Sequence, residues 1–161
     1  MSCHPNVQRS WSPLGQAHCA DASLSNRRVN VLGALDWQSK QLSYQLHEGS
    51  TRRSDFTQFL DTLARNSHPD KWTIAVMDNA SIHHGLEQQS TDEWLVQKFV
   101  PLYLPTYSPE LNPIEILWKQ AKYHWRSFKT WARDQLLSEV KALLDGYGTK
   151  FHVSFTLLLT Y

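Results

Sequence analysis

The run Trp72-Thr-Ile-Ala-Val-Met77 is continuously apolar in character, is of strand length, and stops at Asp78-Asn79. A segment of this kind, without polar alternation, fits a strand buried on both faces, which requires covering layers on either side. It also leaves a carboxylate at the end of a buried strand. The chain around it must therefore supply a sheet, helices to cover it, and a reason for an acidic group at its rim.

The flanking segments provide the first two. Arg27 to Trp37 carries Val29, Val31, Leu32, Ala34 and Leu35 and reads as a strand; DWQSK makes a turn; Gln41 to His47 alternates through Leu42, Tyr44 and Leu46, and Gly49 closes the hairpin. From Arg52 to Arg65, Phe56, Phe59, Leu60 and Leu63 recur at helical spacing, and Pro69 follows. Gly85 to Lys98 reads as a helix with Leu86, Trp94, Leu95 and Phe99 facing a core, and Phe99 to Leu104 as a short strand. A long helix from Pro113 to about Phe128 and a last helix from Trp131 to Leu144 complete the order β β α β α β α α, an α/β fold with a mixed sheet flanked by helices. Residues 1–26, with Pro5, Pro13 and Gly15, read as a loop-like arm. Residues 27–146 form the domain, and 147–161 a tail.

Composition narrows the functional classes. With 161 residues and 41% hydrophobic content, one ordinary core can form. Sixteen Lys and Arg against fifteen Asp and Glu announce no partner by bulk charge, so a nucleic-acid case must rest on where the charges sit. Cys3-His4 and His18-Cys19 offer four potential zinc ligands, but adjacent side chains diverge and the spacing of a structural zinc site is lacking. The two cysteines give no disulfide framework. MSCHPNVQRSW has no signal-peptide core and FHVSFTLLLTY is far short of the ~20 residues of a membrane span, so no membrane partner is expected.

Three features carry chemistry: Asp78-Asn79 with His83 beyond it, the stretch LPTYSPELNPIE, and the helix that follows. Each has an ordinary reading. Asp-Asn is turn chemistry. Asn112, Pro113 and Glu115 spell an N-cap, a first helical position and the third residue after the cap, which is a capping box. His83 and His84 sit in a loop, and Tyr107 and Ser108 could shape the loop before Glu115 as readily as touch a ligand.

What the ordinary reading does not explain is the row Glu115, Lys119, Lys122, Arg126, Lys129 and Arg133, at intervals of four, three, four, three and four, with five cations in succession. Ile114, Leu117, Trp118, Ala121, Trp125 and Phe128 fall opposite. A phosphate track accounts for such a row better than a mixed solvated face. Cleavage or transfer at a DNA phosphodiester is aided by two divalent cations about 3.5–4 Å apart. Hard Mg²⁺ or Mn²⁺ takes oxygen ligands, and an Asp at a strand end with a Glu at a helix start can converge on such a pair.

The segments VMDNASIHHG and LPTYSPELNPIEILWKQAK closely resemble the DDE endonuclease domain of bacterial insertion-sequence transposases related to mariner elements. Thirty-six residues separate Asp78 from Glu115, close to the family spacing. Weaker similarity runs through RSWSPLGQ, VNVLGALD and FTQFL, so the likeness extends from Arg9 to about Phe155. It implies a ribonuclease-H-like fold with Asp78 as the second catalytic carboxylate and Glu115 as the third, both metal-binding. Asn79 and His83 would support them, and Lys119, Lys122, Arg126, Lys129 and Arg133 would bind DNA.

In the family the first carboxylate ends the first strand, usually as Asp-Glu, upstream of the segment matched by RSWSPLGQ. Asp21 and Asp36 do not match it. The expectation is a catalytic-domain fragment lacking its first strand, inactive alone, with DNA, a full-length transposase or further copies of itself as partners and a cytoplasmic, nucleoid-associated location. The alternative is a non-catalytic DNA-binding or oligomerising remnant. Loss of a central strand would leave the hairpin and the strand ending at Asp78 with open edges.

Overall fold

A computed structural model of the chain describes residues 1, 11–16, 28–106, 108, 111–125 and 133–153. The elements are β1 (Val29–Leu35), β2 (Leu42–Glu48), α1 (Arg53–Arg65), β3 (Thr73–Met77), α2 (Gln88–Val96), β4 (Phe99–Tyr103), α3 (Ile114–Trp125) and α4 (Arg133–Asp145). The β β α β α β α α order is the one read from sequence. The strands form two sheets of two, β1 antiparallel to β2 and β3 parallel to β4. The chain divides into two compact units, Met1–Ser50 with Ile116–Tyr161, and Thr51–Glu115.

In the first unit the β1–β2 hairpin turns through Asp36, whose Oδ1 accepts the N–H groups of Gln38 at 2.7 Å and Ser39 at 3.0 Å. Those bonds, the Ser39 N–H foremost, hold the Asp36 carboxyl below its ordinary pKa. The carboxylate is thus committed to the turn. The core gathers Val29, Trp125, Leu136, Val140 and Leu144, with Val31, Leu42, Tyr44, Leu46 and Trp118 partly buried against it. Leu136, Val140 and Leu144 recur every four residues, so one stripe of α4 is buried. The Tyr44 hydroxyl donates to Asp145; burial first, then that carboxylate, pushes the phenol up to about 12. Residues 147–153, set apart as a tail by sequence, belong to this unit, and Phe151 is buried with its ring 4.9 Å from that of His124.

The Val29 N–H donates to the Met1 carbonyl and the Met1 amino group donates to the Val29 carbonyl, both at 2.8 Å. Exchange of both bonds between one pair of residues is the hydrogen-bonded rung of an antiparallel ladder. Arg28 and Asp36, by contrast, bond toward β2, through Gly49 at 3.1 Å and Gln41 at 2.9 Å. Even-numbered residues of β1 therefore face β2, and odd-numbered ones face the edge where Met1 sits.

The second unit packs α1 and α2 with the β3–β4 pair. Asp55 accepts the Arg52 N–H at 2.7 Å at the start of α1, and Phe56, Phe59, Leu60 and Ala64 are buried along that helix. The Trp94 indole donates to Asp61 at 2.7 Å and meets the Phe99 ring edge-on at 6.0 Å. Three expectations are corrected here. Helix α2 starts at Gln88, because Gly85 takes the left-handed conformation (φ +70°) that interrupts a helix and Ser81–His83 forms a separate 3-10 turn. Leu95 points outward, 55% exposed, because α2 turns Trp94 inward instead. Strand β3 is not buried on both faces: Ile74 and Val76, adjacent on one side of the strand, are 60% and 46% exposed, while Met77 is buried. With β4 as its one ladder partner among the described residues, β3 buries its end more fully than its faces.

Two consequences are testable. A Cβ on Gly33 would lie 2.6 Å from Cζ2 and Cη2 of the Trp118 indole, so Gly33→Ala forces that ring to move and should destabilise the fold by about 1–3 kcal/mol in a denaturant melt. The Met1 ammonium is held below its ordinary pKa by burial first, then by Lys122 and Arg28. A base with a depressed folded pKa is penalised while it is charged, so stability should rise as pH climbs through that folded pKa toward about 8. Acetylation of the amino terminus keeps the N–H but removes the charge. It should raise the melting temperature at pH 6, with the gap closing by pH 9.

Candidate active site

Asp78 follows Met77, the last residue of β3, where the chain leaves the sheet. Its Oδ1 accepts the Ala80 N–H at 3.2 Å, an Asx-type closure of the turn, and lies 2.8 Å from Nδ1 of His83. The same ring nitrogen is 3.0 Å from the Asp78 carbonyl. The reading of Asp78 as a turn residue holds, since its side chain closes the turn on the Ala80 N–H while also meeting His83. Its carboxylate remains 47% exposed, whereas the His83 side chain is 17% exposed. The imidazole is covered by the Phe56 ring, stacked at 4.3 Å and 26°.

The loop is fixed from its far side as well. Nε2 of His84 lies 3.3 Å from the Asn79 carbonyl, and the His84 ring stacks on Tyr103 at 5.3 Å and 9°. Asn79, expected to support the site, contributes its main chain to this arrangement. Phe56 was legible only as a core position of α1, and nothing in the sequence singled out Tyr103.

Glu115 is in the first turn of α3, and its N–H donates to the Asn112 carbonyl at 3.0 Å. Its side chain is exposed and has no partner among the described residues. Leu111 N–H reaches the Ser108 carbonyl at 3.1 Å, so Ser108 helps to build the turn before the helix; Tyr107 lies outside the described residues. Farther along α3, Lys119 and Lys122 are exposed while Leu117, Ala121 and Trp125 are buried, so the two-faced helix is as read. Arg126 and Lys129 lie outside the described residues. Arg133 is the first residue of α4, so the shared-face argument applies to Glu115, Lys119 and Lys122 on α3.

Two carboxylates that keep solvent access offer oxygen ligands suited to a hard divalent cation. Among the described residues no group of three His, Cys, Asp or Glu side chains converges on a common point. A complete set of protein ligands would need a further donor, and Asp36 is already spent on its turn.

The architecture is that of a ribonuclease-H-like α/β domain. It superimposes on a chain of the Mos1 strand transfer complex with a TM-score of 0.61 over 89% of this chain and 42% of that one, at 20% identity. The model of the DDE superfamily endonuclease matches residues 1–138, and the chain belongs to that family. It is also 29% identical over 118 residues to the uncharacterized 39 kDa protein of insertion element IS630 from Shigella sonnei, covering 72% of this chain. The chain spans 33% of that relative's length. No helix among the described residues is long and apolar enough to cross a membrane.

The Phe56 stack makes a local prediction. Phe56→Leu keeps an apolar group in the core but uncovers one face of the His83 ring. It should cost about 1–2 kcal/mol of stability and broaden or shift the His83 imidazole resonances in an NMR spectrum.

Proposed function

We propose that this chain is the part of a DDE transposase catalytic domain that carries the second and third acidic residues, Asp78 and Glu115, and that the complete enzyme cuts and joins DNA strands with their help. The observation that carries the reading is the Asp78 carboxylate, held at the end of β3 by the Ala80 N–H and His83 yet still half exposed. The partly buried His83 ring, stacked on Phe56, gives that carboxylate a second polar neighbour besides the turn N–H. Family membership and the likeness to a strand transfer complex support the same reading.

In this proposal Asp78 and Glu115 hold Mg²⁺ or Mn²⁺, two ions in the complete enzyme. Bound there, the ions supply Lewis-acid activation of the attacking oxygen and stabilisation of the leaving one. The contribution of this chain is orientation: the Ala80 N–H and His83 keep Asp78 in one rotamer, and the first turn of α3 presents Glu115. Lys119 and Lys122, with Arg126, Lys129 and Arg133, hold the phosphate backbone. Asp78 and Glu115 do not make a complete ligand set by themselves, and the family's first carboxylate would complete the site.

A second reading, a non-catalytic fragment that binds DNA or associates with a full-length transposase or its own copies, draws support from the exposed apolar side of β3 at Ile74 and Val76.

Nicking of supercoiled DNA in Mg²⁺ or Mn²⁺ tests these readings. A version extended upstream through an Asp-Glu strand should nick, and this chain should not; nicking by neither favours the second reading. In the extended version Glu115→Gln should lower cleavage more than about a hundredfold while DNA binding persists, as expected for loss of several kcal/mol of transition-state stabilisation. Undiminished cleavage would remove Glu115 from the catalytic set. Replacing Lys119 and Lys122 together by Ala should weaken binding alike on all sequences and flatten the log-log salt slope by about 2.

A further inference from the structure

We infer that Tyr103 is a positioning residue of the Asp78 site: it fixes the Ser81–His83 turn so that His83 bears on the Asp78 carboxylate. Its place follows from the sheet register. Tyr103 is the last residue of β4 and is paired with Met77, the last residue of β3, so its backbone lies beside the point where the chain turns out toward Asp78. The Leu104 N–H donates to the Met77 carbonyl at 2.8 Å and ties the two strand ends together.

From that anchor the side chain reaches across the loop. The Tyr103 hydroxyl donates to the His83 carbonyl, and its ring lies flat on that of His84. His84 in turn closes on the Asn79 carbonyl, so both ends of the loop after Asp78 are tied, directly or through His84, to one phenol. His83 is then caught between two fixed supports, Tyr103 on its main chain and Phe56 on its ring. Its Nδ1 has little freedom except to face Asp78. Burial pushes the Tyr103 phenol above its ordinary pKa, so the hydroxyl keeps its proton and its role as donor at neutral pH.

The chemical meaning rests on the reading of Asp78 as a metal ligand. An acidic ligand held in one rotamer loses less freedom on binding a cation than one that must first be ordered. Tyr103 acts on that ligand through His83 and touches no reacting atom.

The test uses the whole chain, its Tyr103→Phe variant and Mn²⁺ alone as probe. Phenylalanine keeps the stack on His84 and loses the hydrogen bond, so the melting temperature should change little. The ¹⁵N resonance of His83 Nδ1 should shift, and Mn²⁺ titrated against the Asp78 amide signal should bind about fivefold more weakly, the effect of one hydrogen bond. Should Tyr103→Phe fail to fold, His84→Ala, which removes the ring beneath the phenol, should give the same two changes.

An unchanged His83 resonance in a folded variant overturns the positioning role. A shifted resonance with unchanged Mn²⁺ affinity overturns its bearing on the metal. If wild-type Asp78 shows no Mn²⁺ response while the variant still shifts His83, the orienting contact stands and the metal reading of the site fails.

Discussion

The parallel ladder between β3 and β4 is the constraint from which the candidate site follows. Five consecutive residue pairs, from Thr73 with Phe99 to Met77 with Tyr103, bring the two strand ends level. Both chains leave the sheet at the same height, one into the loop that begins with Asp78 and the other toward the turn that leads into α3. Side chains at the carboxyl end of parallel strands are free of the ladder and can be directed by their loops, which is why ligands collect at that end of α/β sheets. In this chain the loop is short, and its polar groups are consumed in holding itself: Ala80 and His83 on Asp78, His84 on Asn79, Tyr103 on His83.

The cost of that arrangement falls on hydrophobic burial. Met77 and Phe99 are inside, but Ile74 and Val76 are not, so the strand that delivers the carboxylate is itself weakly covered. The first unit is organised differently. There the cover comes from helices remote in sequence, with α4 closing on the hairpin and the Trp118 indole laid against Gly33 of β1. A glycine at that point of the strand leaves room for the indole, which a Cβ there would force to shift. The polar side of α3 is left to solvent, with Lys119 and Lys122 exposed.

How much of this was written in the sequence depends on the kind of interaction. Element order and the buried stripes of α1 and α3 were legible because they are local and periodic, as Phe56, Phe59 and Leu60 or Leu117 and Ala121 show. The boundary of α2 was missed because one left-handed glycine, Gly85, outweighs the helical propensity around it. The exposure of β3 was missed because an apolar run reports what a strand could bury and not how many neighbours it finds. Asp78 and Glu115 were singled out by position and by resemblance; the structure adds how Asp78 is gripped. Tyr103 was silent, since its role arises from a register and a loop fold that leave no mark in residue spacing.

The pairing of Met1 with Val29 reaches beyond the hairpin. Because that rung is antiparallel and the odd-numbered residues of β1 face its side, a segment joined to the amino terminus that continued the same ladder would set its second residue from the junction level with Val31 and its fourth with Gly33. A purification tag or a fused partner placed there would not hang in solvent as an inert leader. Its first few residues would be recruited as sheet, and a proline or a run of like charges among them would be felt by the hairpin. Along that edge of β1 the composition of an added segment would decide whether the sheet grows or stops.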